Sequence, residues 1–276
     1  MLDLEFTAYG RHWQADLSAP VDLAITLQFP GPQPLFFMDA PASAAPLRVG
    51  GFVGTVASGA SCNCAVYTLS PHCHGTHTEC VGHVTDDATA LAGLTPLPPA
   101  LALLVSVRPE ALGPAAAGQG SRGQADDPVI TRALLAAAAA RWIRDPWTSL
   151  VVRTLPNDPG KRYRRYEGPC PAPYFTADAM QWIVERDVTS LVVDLPSLDR
   201  ADDGGSLAAH RMFWGLPPDA RDAHQARRGR AMVTELAYIP DRVHDGLYLL
   251  DLQVPAFATD AAPSRPVIYP VREAVR

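Results

Sequence analysis

Residues Ala100 to Val107, Ala-Leu-Ala-Leu-Leu-Val-Ser-Val, constrain this chain more than any other segment. Successive side chains of a strand point to opposite faces. This run is apolar on both, so a strand made from it must be covered on both sides. Ser149 to Thr154 and Ser190 to Asp194 repeat the pattern at strand length. Helix signals lie between them. Thr131 opens an alanine-rich stretch reaching about Arg144, and Thr176 stands where it can N-cap a stretch reaching about Asp187. Helices alternating with two-sided strands predict an α/β fold: a single domain over residues 1–276, with a central mixed β-sheet and flanking helices. No internal repeat or linker divides the chain.

Other segments are shorter or more irregular. Asp22 to Phe29 alternates well enough for a strand, and Phe29-Pro30-Gly31-Pro32 then forces a turn. Val49 to Leu69 reads as two short strands that include Cys62 and Cys64, expected as small buried hydrophobes. Gly113 to Asp127 reads as a surface loop. Pro156 to Pro173 is a long loop holding five prolines, and loops of that length are usually functional or mobile. Leu249 to Val254 reads as an apolar strand near the end of the chain.

Composition excludes several classes. Net charge is −6 and no basic stripe interleaves with aromatics, which argues against a nucleic-acid partner. No apolar run reaches the roughly 18 residues of a membrane span, and Met1 to Phe6 lacks the basic start of a secretory signal. The five cysteines form no secreted disulfide pattern. A cytoplasmic homo-oligomer acting on a small molecule is expected, with neither nucleic acid nor membrane as partner.

Chemistry concentrates at residues 72–83, His-Cys-His-Gly-Thr-His-Thr-Glu-Cys-Val-Gly-His, where seven of twelve side chains are imidazoles, thiols or carboxylates. His77 and Glu79 are two apart and project to one side of an extended segment. Gly75 is expected to let the backbone turn tightly. Imidazole, thiolate and carboxylate together suit zinc or a similar divalent ion.

The stretch Cys73-His74-Gly75-Thr76-His77-Thr78-Glu79-Cys80-Val81-Gly82-His83 resembles the H-x-G-T-H-x-D-x-P-x-H motif of the cyclase family of metal-dependent hydrolases, which includes kynurenine formamidases and isatin hydrolase. Gly75, Thr76, His77 and His83 match; Cys73 stands at the first His, Glu79 at the Asp and Val81 at the Pro. Asp194 to Asp199 resembles the family's D-T-P-S-x-D element except at Leu195, and His210 and Glu235 are the best counterparts of its later His and Glu. The likeness runs from about Asp16 to Val271, with an insertion around Pro217 to Arg230.

The resemblance implies a division of labour. Cys73, His77 and Glu79 would bind one ion, with His72 or His74 turned inward if the thiolate does not bind. Glu79 would bridge to a second ion held by His210 and Glu235, for which His224 and His244 are the alternatives to His210. His83 would move protons, as an imidazole ordinarily titrates near neutrality. Zinc is expected, as one or two ions, with manganese as the alternative. Metal-activated water would hydrolyse a small amide, an aryl formamide or a cyclic amide, as in an arylformamidase. The competing expectation is a catalytically silent binding member of the same fold. Trp13, Phe29, Phe36, Phe37 and Trp214 read as core or pocket wall, and Phe29, before Pro-Gly, is expected to stack on substrate.

Overall fold

The two-sided apolar run at Ala100–Val107 lies in the middle of the sheet, as its composition requires. The computed structural model describes residues 2–86, 89–115, 117, 122–167 and 172–274. Among these, eleven strands share one sheet. In chain order they are β1 (Asp3–Ala8), β2 (Arg11–Asp16), β3 (Val21–Asp22), β4 (His77–Glu79), β5 (Ala100–Val107), β6 (Ser149–Thr154), β7 (Ser190–Val193), β8 (Met232–Glu235), β9 (Gly246–Asp251), β10 (Ala261–Pro263) and β11 (Val267–Glu273). Strands β5, β6, β7 and β8 run parallel. Antiparallel strands extend the sheet both ways. On one side come β9, β11, β2 and β1, with β3 beside β11; on the other, β4 pairs with β8 and β10 with β4.

Four helices join these strands: α1 (Pro71–His74), α2 (Arg132–Ala139), α3 (Ala177–Glu185) and α4 (Ala208–Trp214). Leu103, Val105, Leu150, Val152, Leu191 and Val193 pack on one face against Leu135 of α2, Met180 of α3 and Phe213 of α4. Ala102, Leu104, Val151 and Val192 face the other way, onto Leu23, Ala237, Ile239 and Ile268. The second face is therefore covered by extended chain rather than by helices. Both covers exclude water, which is why these strands read as continuous apolar runs.

Several local expectations change. Thr131 caps α2 by accepting from Leu134 N at 3.4 Å, but α2 ends at Ala139 and passes into a 3-10 turn. Thr176 holds the N-cap position of α3, yet its hydroxyl donates to Ile130 O and Asp178 rather than capping. The strand read over Asp22 to Phe29 pairs only at its start. The amides of Ala24 and Ile25 go instead to the side-chain oxygens of Asp22 and Thr76, tying this segment to the motif loop. Val49 to Leu69 holds the end of one hairpin and the second arm of another, both outside the main sheet. Cys62 is exposed and Cys64 half-buried, because they lead into an outer hairpin strand, Ala65–Thr68, that is itself exposed. Part of the Gly113 to Asp127 loop and residues 168–171 of the proline-rich loop lie outside the described residues.

Candidate metal centre

Strand β4 carries His77 and Glu79 and pairs with the last residues of β8. The register sets Glu235 opposite His77, so the two side chains share a face. Thr78 points away and locks the strand from behind, bonding Thr234 Oγ1 at 2.7 Å and Ser264 Oγ at 2.8 Å. Thr76 donates to Leu236 O at 2.6 Å and accepts from Ile25 N at 2.8 Å, which fixes the entry to β4. Gly75 is fully extended, with φ 177°, so the tight turn expected there is absent. Gly82 is the glycine that space demands: a Cβ on it would lie 2.1 Å from Thr89 O.

Helix α4 delivers His210 from the other side. Asp199 accepts from the backbone of Ala209 and His210 and from His210 Nδ1 at 2.7 Å. A neutral His210 with its proton on Nδ1 would turn the Nε2 lone pair toward the cluster, where Glu79 Oε1 lies 2.9 Å away. His77 Nδ1 donates to Gly75 O at 2.9 Å and likewise frees Nε2. Glu235 Oε1 accepts from Leu198 N and lies 3.3 Å from His210 Nε2, while its Oε2 is 3.5 Å from His77 Nε2. His77 Nε2, His210 Nε2 and both oxygens of Glu79 are buried and have no hydrogen-bond partner. Such groups are costly to bury unmatched. Here they converge, as ligands around a cation do.

At the start of the motif, the neighbour of the aligned residue turns toward the cluster. His72 Nδ1 is 3.1 Å from Glu79 Oε2, and its Nε2 is 2.9 Å from Asp260 Oδ2. Ligand atoms of His72, His77 and Glu79 lie within 4.8 Å of one another, as do those of Glu79, His83 and His210 and those of His72, His83 and Asp260. Cys73 belongs to none of these groups. Successive side chains on a helical turn point about 100° apart, so His72 of α1 faces Glu79 while Cys73 lines the neighbouring cavity. His74 is buried, its Nδ1 accepting from Ser70 N at 2.8 Å and its Nε2 donating to Ala40 O at 2.9 Å.

The charges hold one another. Burial pushes the Glu79 carboxyl up, but the His83 and His210 imidazoles keep it well below the usual range. Burial pushes His210 down, and Glu79, Asp199 and Glu235 carry it well above its ordinary value. His72 is likewise lowered by burial, yet Asp260 and Glu79 raise it to about 10. His83 is half-buried, stacked on His72 with ring centroids 4.3 Å apart, and 3.5 Å from Asp260.

A cavity of about 480 Å³ opens over this cluster, lined by His72, His83, His210 and Glu235 and walled by Phe36 and Phe37. Phe29 is not part of it. Its ring packs on Tyr67 of the outer hairpin at 5.2 Å. His224 lies in the turn after α4, outside these groups, as does His244. Asp260 and the orienting role of Asp199 are the residues that sequence reasoning missed. Asp260 precedes β10 and is held by Cys80 N donating to its carbonyl, a strand-edge contact without sequence periodicity. Asp199 was visible as the end of the Asp194 to Asp199 element, though its partner was not. Asp194, the start of that element, is buried against Lys161 instead of facing the cluster.

A search of curated proteins finds no match. Among solved structures, the chain is similar to a protein described as a predicted metal-dependent hydrolase from Bacillus stearothermophilus (14% identity, 91% of this chain and 98% of that one, TM-score 0.55). It is similar to isatin hydrolase A from Labrenzia aggregata (16% identity, 91% and 93%, TM-score 0.57). It is also similar to a protein described as a novel cyclase (14% identity, 91% and 87%, TM-score 0.61). These likenesses carry the fold. The Cyclase family model matches residues 15–200, about two thirds of the sequence, and this chain belongs to that family.

Proposed function

We propose that this chain is a metal-dependent hydrolase of small amides, either aryl formamides or cyclic amides. The observation that carries the reading is the convergence of His77 Nε2, His210 Nε2 and both Glu79 oxygens, buried and unpartnered, beneath an aromatic-walled cavity that His210 lines. His72, His77 and Glu79 would hold one divalent ion, and Glu79, His210 and Glu235 a second. Glu79 suits the shared position, because its Oε1 faces His210 and its Oε2 faces His72. Without a thiolate the donor set is imidazole and carboxylate, which fits zinc and also admits manganese. Bound there, a divalent ion supplies Lewis acidity, lowering the pKa of water from 15.7 toward about 7.

The chain's own groups supply the rest. His83 lines the cavity with Nδ1 3.8 Å from Glu79 and 3.5 Å from Asp260, and it would carry a proton to a leaving amine. Asp199 and Asp260 hold the His210 and His72 rings in orientation, as carboxylates behind metal-binding histidines do. Phe36 and Phe37, edge to face at 5.0 Å, offer apolar surface to a flat ring.

Anomalous diffraction at the zinc edge, with assays on N-formylkynurenine and isatin, tests this. Zinc on the named ligands and hydrolysis of an amide are the expected results. Protein that takes up no metal after zinc dialysis at neutral pH would sink the reading. Metal-loaded protein that cleaves no amide, lactam or ester would make it a silent binding member.

A further inference from the structure

Among the described residues lining the cavity, Arg200 is a cation outside the metal cluster, beside Asp202 and Asp203. Arg200 follows Asp199 directly in the chain and lines the cavity with His210 and Glu235. Its neighbours are pinned to the cluster: Leu198 N donates to Glu235, and Asp199 grips His210. The guanidinium is pinned as well. Nε donates to Asp127 Oδ2 at 2.7 Å, and Nη1 donates to the Asp202 carbonyl at 2.9 Å. Asp127 is itself buried and takes the Tyr174 hydroxyl and the Gln124 amide on the same oxygen. This leaves Nη2, among the described residues, without a hydrogen-bond partner. The Arg200 side chain is only 16% exposed, so few alternative rotamers are open to it.

The nearby acids do not occupy that arm. Asp202 is 77% exposed and pairs with Arg122 at 3.1 Å. Asp203 spends its carboxylate on Gly205 N, Ser206 Oγ and Leu207 N. A fixed guanidinium with one uncommitted nitrogen, beside two phenylalanine rings, matches a flat ligand bearing an anionic oxygen. We infer that Arg200 is a specificity residue, and that the substrates of this site are aromatic amides carrying a carboxylate that Arg200 Nη2 binds. This rests on reading the cavity as the amide-binding site.

Calorimetric binding of 2-aminobenzoate and of aniline to zinc-loaded protein tests the inference without turnover. One charge-assisted hydrogen bond is worth about 10- to 100-fold in affinity, so wild type should prefer 2-aminobenzoate by about that ratio. R200M should bring the ratio near one while zinc content stays unchanged. R200K guards against misfolding: its single ammonium can keep Asp127 but has no second arm, so it should fold and also lose the preference. A preference surviving in both variants would place the carboxylate on the metal and overturn the inference. Equal binding of both ligands by wild type would overturn it too. Both results are read whether or not any amide is hydrolysed. Loss of the hydrolase reading is thereby separate from loss of this one.

Discussion

At the scale of single residues, the motif's first position and its neighbour point in different directions. Cys73 occupies the aligned ligand position, but a helical turn aims His72 at Glu79 and leaves the thiol on the cavity wall. H72A is therefore expected to lose one bound ion, whereas C73S keeps the full complement; metal analysis of the two variants decides between them. Loss of metal in C73S alone would restore the thiolate as ligand. The role of His83 gives a second expectation. H83A should keep most of its metal and lose activity by about 10²- to 10⁴-fold, the usual size of a general acid–base contribution. H77A should lose both, since His77 Nε2 has no partner apart from the cluster. If H83A sheds metal, His83 is a ligand and the division of roles fails.

At the scale of elements, the parallel strands end in buried charges. Lys161 Nζ lies 2.7 Å from Asp194 Oδ2 and also donates to the carbonyl and hydroxyl of Thr154. Asp194 accepts in turn from the Thr154 amide, so the loop after β6 is riveted to the end of β7. The side chain of Lys161 is 6% exposed and that of Asp194 is fully covered. Removing one partner of such a pair strands the other charge, at a cost of about 3–5 kcal/mol. K161M is expected to lower unfolding stability by that amount in urea titrations, out of a typical total of about 5–15 kcal/mol. A loss below about 1 kcal/mol, the range of exposed ion pairs, would show that the rivet carries little.

At the scale of the whole molecule, Asp127 ties the cavity residue Arg200 to segments far away in the chain. It takes Arg200 Nε, the Tyr174 hydroxyl and the Gln124 amide. Burial pushes its carboxyl up, but Arg200 and these donors hold it below the usual range. A carboxylate whose folded pKa is depressed contributes stability above its unfolded pKa, about 3.9. That contribution disappears as pH falls through the folded value. Wild type should therefore lose stability on acidification below about pH 4, and D127N should lose less over the same interval. Urea midpoints from pH 6 to pH 3 measure this. Parallel curves for the two proteins would remove Asp127 from the acid response.

The order of helices and two-sided strands from Thr131 to Asp194 was legible in the chain because burial on both faces leaves continuous apolar runs. His77 and Glu79 were legible because strand periodicity places them on one side, and His210 and Glu235 through the resemblance of their surroundings. Helix direction, strand pairing and close approach were not. Whether residue 72 or 73 meets Glu79 depends on the rotation of a single turn. Asp260 reaches His72 across 188 residues through the seam between β4 and β10. Phe29 yields to Phe36 and Phe37 because the chain after Pro30 turns the later rings, not the earlier one, into the cavity. Local pattern sets which residues are able to form strands, helices and ligands; only packing of distant segments decides which side chains meet.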